Sequence, residues 1–283
     1  MMTKGKGFTL LELVVVMVII GVLATVAAQF IAGPTQAYLA VARRAQISDI
    51  ADVSIRRLAR ELRLALPNSV RVGGANRFLE FIPTVNGGRY RTESGDLLDF
   101  TQADTSFDYL GPSLAAGSGQ SVVVFNTGQR STSGCALAPS GADAYEGCNR
   151  SAVTSITSST VTMAARKFPF DSPGHRFHLV PASGPVTLAC ENIGTSNGDG
   201  SGTLRIYSNY ATGSGDWGAS APATAPTGTN RSSNVLADNV SACSFSYLPG
   251  VTASNGIVTL RLAITRGNET VTLHHQVHID NVP

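Results

Sequence analysis

The pattern of hydrophobic and polar positions divides the chain into three regimes. Residues 13–28 carry one polar side chain, Thr25, and with residues 8–11 and 29–31 they extend a mostly apolar run in which Glu12 is the one charged residue. As a helix rising 1.5 Å per residue the run measures roughly 36 Å, enough to cross a bilayer. In the second regime Ile47, Ala51, Ile55, Leu58, Leu62 and Ala65 recur at spacings of three and four. That spacing predicts an amphipathic helix over about residues 37–66 with one apolar stripe to lay on a folded domain. Gly33 and Pro34, between the two, should kink the helix or melt a short stretch of it. Pro67 should end it by pushing the residue before it out of helical backbone.

Beyond Pro67 the pattern changes to short β-branched runs broken by Gly, Ser and Asn: SVRV, RFLEFIP, SVVVF, VTSITSSTVTM, PVTLACE and GTLRIYS. These read as strands. The clearest unit is GIVTLRLAITRGNETVTLHHQVHI, where Gly267 and Asn268 mark a two-residue turn between alternating runs. The turn sets a register in which Ile264 faces Val271, Leu262 faces Leu273, Leu260 faces His275 and Val258 faces Val277. A one-residue slip would separate the apolar faces, so their coincidence supports the turn. The expectation is an α+β fold, a long N-terminal helix packed on a mainly antiparallel sheet.

The same register bears on the histidines. HHQVH, with His175 and His178 in HRFH, invites a metal reading, since clustered imidazoles are good zinc or copper ligands. Alternation puts His274 and His278 on the face opposite His275 and roughly 13 Å apart, with Arg261 across from His274. Packed or surface histidines are therefore expected, with no metal. In NGDGSG, Asn197, Asp199 and Ser201 mimic the start of a calcium loop. Position twelve is Ser208 where a bidentate glutamate should stand, and a glycine-rich turn is the simpler expectation. No GxSxG elbow, HExxH or lysine-bearing phosphate loop is present, so no enzyme and no cofactor are expected.

Composition sharpens this picture in two respects. With 283 residues, 43% hydrophobic and 14% charged, the chain can bury a sizeable core. Its 21 basic and 19 acidic residues nearly cancel, so no overall field draws it to nucleic acid. The cations Arg43, Arg44, Arg56, Arg57, Arg60 and Arg63 do crowd one helix face. Asp52 with Arg56 and Arg57 with Glu61 are i, i+4 pairs that balance part of that charge, and a solvated or subunit-facing surface is expected rather than a nucleic-acid site. The four cysteines, Cys135, Cys148, Cys190 and Cys243, lack CxxC spacing and suit two disulfides outside the cytoplasm. Local closure favours Cys135 with Cys148 and Cys190 with Cys243, while three connectivities remain open.

One residue of the apolar run asks for a function. An acid at the centre of a membrane span costs roughly 2.5–3.5 kcal/mol, yet Glu12 stands near the start of this one, after a head carrying Lys4 and Lys6 that belongs on the cytoplasmic side. A secretory signal cut near LATVAAQ, or a plain anchor, leaves Glu12 unexplained. KGKG followed by FTLLEL resembles the leader of type IV prepilins. That resemblance implies cleavage by a prepilin peptidase between Gly7 and Phe8, methylation of the Phe8 amine, and a charge-pairing role for Glu12 in assembly. A Phe8 amine and a neighbour's Glu12 about 4 Å apart attract by about 4 kcal/mol at an effective dielectric near 20.

ISDIADVSIRRLARELRLALPNSVRV, NVLADNVSACSFSYLPG and TVTLHHQVHIDNVP further resemble minor prepilins of the mannose-sensitive haemagglutinin (MSHA) pilus, a family related to the J-type pseudopilins of type II secretion. The likeness covers both ends of the chain and is poor over residues 100–185. It implies a pilin fold and a part in initiating or capping a pilus with other major and minor pilins and an inner-membrane assembly platform. The implied layout is a leader at 1–7, a transmembrane half-helix at 8–31, an amphipathic half at 32–66 and an exported β-rich domain at 67–283. The chain is then expected in a bacterial inner membrane with its C-terminal domain periplasmic, and later in the pilus. The rival expectations are a J-type pseudopilin and a tip adhesin or DNA-binding module.

Overall fold

The computed structural model describes residue 7 and residues 9–115, 117–135, 140–211, 215–250 and 255–283. Helix α1, Leu10–Arg63, runs without interruption for 54 residues, about 81 Å. Thr9 caps it from extended backbone, its hydroxyl accepting the Glu12 N–H at 3.2 Å. The melted stretch expected at Gly33 and Pro34 does not occur. Proline removes one i to i−4 hydrogen bond and leaves the others, and just past it the Thr35 hydroxyl donates to the Ile31 carbonyl at 2.9 Å. The helix also stops at Arg63, three residues short of the expected end. There Leu66 donates to the Ile82 carbonyl at 2.8 Å and Thr84 to the Leu64 carbonyl at 2.7 Å, so pairing with the chain after the first strands replaces the last helical turn.

The apolar stripe of α1 lies on a seven-stranded antiparallel sheet. In chain order its strands are β1 (Arg71–Gly73), β2 (Phe78–Phe81), β9 (Val186–Glu191), β12 (Gly202–Ser208), β13 (Ser232–Leu248), β14 (Gly256–Arg266) and β15 (Glu269–Ile279), and they neighbour one another in that order. Ile47, Ala51, Ile55, Leu58 and Leu62 are buried in one cluster with Leu260, Leu262, Ile264 and Val277. Ser54, also buried on this stripe, bonds both the Ile50 and Leu236 carbonyls at 2.7 Å, which satisfies its hydroxyl and joins α1 to β13. The β14–β15 hairpin has the register read from the sequence, with Ile264 opposite Val271 and Val258 opposite Val277. Gly267 (φ 56°) and Asn268 (φ 66°) both take left-handed backbone, as a two-residue hairpin turn of matching twist requires.

The β-rich region does not form one sheet. Between β2 and β9 the chain closes a six-stranded barrel from β3 (Asn86–Tyr90), β4 (Asp104–Leu110), β5 (Ser121–Val124), β6 (Arg150–Ile156), β7 (Thr160–Arg166) and β8 (Arg176–Val180), paired in the order β3-β4-β7-β6-β5-β8. The run VTSITSSTVTM, read as one strand, folds back on itself as β6 and β7. The barrel has its own core of Tyr90, Phe107, Tyr109, Val122, Phe177 and Leu179, with Phe107 and Phe177 edge to face at 5.1 Å. A third cluster with Leu66, Ile82, Val123, Tyr145, Val180 and Trp217 joins the barrel to the end of α1. The small hairpin of β10 (Thr195–Ser196) and β11 (Asp199–Gly200) docks on the β14–β15 turn, where Gly267 donates to Asp199 Oδ1 and Asn268 to the Gly198 carbonyl, both at 2.7 Å.

Disulfides join Cys135 to Cys148 and Cys190 to Cys243. The first closes a short barrel loop, and the second ties β9 to β13, the strands on either side of β12. Their sequence separations of 13 and 53 residues correspond in the chain-entropy model to stabilisations of about 3 and about 4 kcal/mol. Replacing Cys190 and Cys243 together by Ser should therefore lower the urea midpoint more than the matching change at Cys135 and Cys148. Equal or reversed losses would show that the longer loop is not the dominant constraint.

Candidate assembly site

The two halves of α1 have opposite environments. From Leu10 to beyond Phe30 its side chains are exposed, Leu10 by 82% and Phe30 by 78%. Half-burial begins at Ala40 and full burial at Ile47. The exposed half is the stretch long and apolar enough to cross a membrane, and none of that stretch is covered by the chain's own fold.

Glu12 sits in the first turn of this uncovered half, its carboxylate exposed and in no ion pair among the described residues. Thr9 and Glu12 also form the T-x-x-E spacing of a capping box, a local signal that the sequence reading missed. The Thr9 half of the box is made. A carboxylate near a helix N-terminus contributes 0.3–1 kcal/mol, roughly, through the helix dipole, less than the roughly 2.5–3.5 kcal/mol that an acid costs at mid-membrane depth. Capping alone does not account for Glu12 once this turn is buried among apolar neighbours.

Gly7 lies just outside the helix, exposed and not helical. A side chain there would meet nothing within 4 Å among the described residues, so no contact among them requires a glycine. Phe8, the other side of the expected cut, lies outside the described residues.

On the covered half, Arg56 pairs with Asp52 at 2.8 Å and Arg44 with Glu269 on β15 at 3.3 Å. The expected Arg57–Glu61 pair is not formed among the described residues. Arg57, Arg60 and Arg63 point outward as an exposed cationic edge, and Arg60 and Arg63, in the last turn, complement the negative end of the helix dipole.

The other candidates separate in space. His274 and His278 are exposed on one face of β15 and His275 is half-buried on the other. His175 lies 3.6 Å from Asp171. His178 is held by burial, and then by the repulsion of Arg176, at a pKa of about 4. The one group of three potential metal ligands among the described residues is Cys135, Glu146 and Cys148, and its two sulfurs are bonded to each other. Asp199 serves the contact between turns described above.

Two buried charged groups with shifted pKa values have interior partners. Glu80, raised by burial, meets Arg71 at 2.5 Å and the Tyr210 hydroxyl at 2.7 Å. Arg150, 2% exposed, stacks 3.3 Å from the Trp217 ring and donates to the Gly215 carbonyl. Burial first, then Arg166, brings its pKa down to about 10. Both clusters brace the junction of sheet, barrel and loop.

Residues 2–28 match the family model described as "Prokaryotic N-terminal methylation motif". No curated protein and no solved structure matches the chain. The motif supports a type IV pilin-like protein, structural in kind, that is processed by a prepilin peptidase and assembles with other pilins. With the apolar half of α1 it also supports membrane anchoring.

His178, on the barrel, gives the fold's stability a pH dependence. Its pKa is lower folded than unfolded, so the unfolded chain binds the extra proton between about pH 6.5 and 4 and stability falls as pH drops through that window. Between pH 6.5 and 5, where most carboxylates remain ionised, denaturant melts should show a loss of up to about 2 kcal/mol. In His178→Gln that slope should disappear.

Proposed function

We propose that the chain is a minor pilin of a type IV, MSHA-like pilus that joins an initiation or tip complex after processing. In this reading residues 1–7 are the leader and residues 8–31 span the inner membrane. Residues 32–66 carry the helix onto the domain, and residues 67–283 are periplasmic until the subunit enters the pilus. The observation that carries it is Glu12, a carboxylate in no ion pair among the described residues, in the first turn of an apolar helix that those residues leave uncovered. In the bilayer that turn lies near the headgroups, where a carboxylate is tolerable. Once the helix is withdrawn into a bundle of its own kind, the carboxylate needs a cation. The nearest chemistry able to supply one is the amine of a neighbouring subunit's Phe8, created by the cut after Gly7.

The barrel favours a place where a subunit presents a surface of its own, since it closes independently of the sheet that α1 needs. A J-type pseudopilin would use the same helix, so deletion of the gene separates the two. Loss of surface pili with secretion intact supports the pilus role, and the reverse assigns the chain to secretion.

Mass spectrometry of the mature protein should find a methylated Phe8 at its N-terminus. A retained Met1, or a terminus near Gln29, contradicts the processing step. Glu12→Val should insert and be cleaved normally yet enter pili at least about tenfold less often, a factor corresponding to 1.4 kcal/mol. Normal incorporation of that variant would remove the charge-pairing role.

A further inference from the structure

Where the barrel meets Asn68, in the segment after α1, and the C-terminal segment, a cleft of ≈ 470 Å³ opens, lined by Phe125, Pro173, Arg176, Val282 and Pro283 among others. Its size is that of a small-molecule site. Its walls are mainly apolar, and Arg176 is the one charged side chain among them. Phe125 reaches the cleft from left-handed backbone, φ 49°, a conformation that bulky residues rarely take outside turns or functional sites. Phe170 packs edge to face against it at 6.3 Å.

Arg176 also borders a shallower hollow of ≈ 320 Å³ on the outer barrel wall, with Gly87, Gly88, Arg89 and His178. The β3–β8 register places Arg89 directly opposite Arg176. Like charges directly opposed on one face repel, and among the described residues neither guanidinium makes an ion pair or a side-chain hydrogen bond. Beside them the His178 ring keeps Nε2 buried and without a partner. The acids nearby are engaged elsewhere or only loosely involved: Asp171 meets Tyr90 and His175, and Asp280 acts on His178.

We propose that this seam binds a small amphipathic carboxylate, its anionic end bridging Arg89 and Arg176 and an aromatic or branched apolar group filling the cleft against Phe125 and Pro173. Guanidinium forks suit a planar carboxylate. With Asp171 and Asp280 close by to offset the charge of the two arginines, a singly charged group fits better than a dianion. The site stands on the barrel, apart from the uncovered half of α1, so it holds or fails independently of the assembly role.

The test uses the full chain in a non-ionic detergent, with hydrocinnamate as probe and its neutral alcohol and inorganic phosphate as comparisons, followed by ligand-observed NMR titration. Hydrocinnamate should bind saturably. Arg176→Gln and Arg89→Gln should each weaken it about tenfold or more, with thermal melts that show both variants folded, and the alcohol should lose a similar factor. The proposal is overturned if the alcohol binds as tightly as the acid, if Arg176→Gln binds unchanged, or if phosphate displaces the probe as well as hydrocinnamate itself does.

Discussion

An apolar helix surface that its own domain leaves bare is the constraint on which the molecule is built. Fifteen large apolar side chains of residues 10–31 are exposed. At about 1.5 kcal/mol or more for covering each, the driving force to find an apolar environment is on the order of 20 kcal/mol. That exceeds the whole stability of a typical domain, about 5–15 kcal/mol. The covered half of α1 must therefore be anchored firmly enough that the bare half can move between environments without dragging the fold apart. The stripe from Ile47 to Leu62, the Ser54 hydroxyl shared with β13 and the Arg44 pair to β15 supply that anchor.

The anchor's position also decides what the rest of the chain can do. α1 covers the end of the sheet formed by β13, β14 and β15, and the last strand of that end is a hairpin strand whose outer face stays polar and exposed. At the other end of the sheet, β2 and β9 are joined through the barrel. A closed barrel leaves no unpaired edge strands, so it can be inserted there without adding a template for aggregation. It is also free to carry surface chemistry unrelated to the helix.

How much of this the sequence disclosed follows from which forces are local. The α1 stripe and the β14–β15 register were legible because each rests on a period and, in the hairpin, on a Gly-Asn turn whose left-handed backbone both residues accept. Loop closure favoured the disulfide partners that form and left the other connectivities open. The barrel was hidden because its strands are short and interrupted. β3 reads NGGRY and β4 reads DTSFDYL, with glycine and aspartate where strand propensity expects β-branched residues. Only the closure that brings Tyr90, Phe107 and Phe177 together makes those segments strands. The helix end was misread by one turn for a related reason, because the long-range bond from Leu66 to Ile82 outbids a local preference.

Glu12 and the arginine pair at the barrel seam share a physical logic. In both, a charge stands in no ion pair among the described residues: a carboxylate on an apolar helix in one case, two guanidiniums facing each other across a ladder in the other. Elsewhere Arg71 pairs with Glu80 in the interior and Arg130 with Asp216 nearer the surface, while buried Arg150 meets the Trp217 ring and the Gly215 carbonyl rather than an acid. On the proposed readings, both sets of charges answer to something outside the fold. For Glu12 the missing charge is one that proteolysis would create on a neighbour, and for the arginines it is one that a ligand would bring.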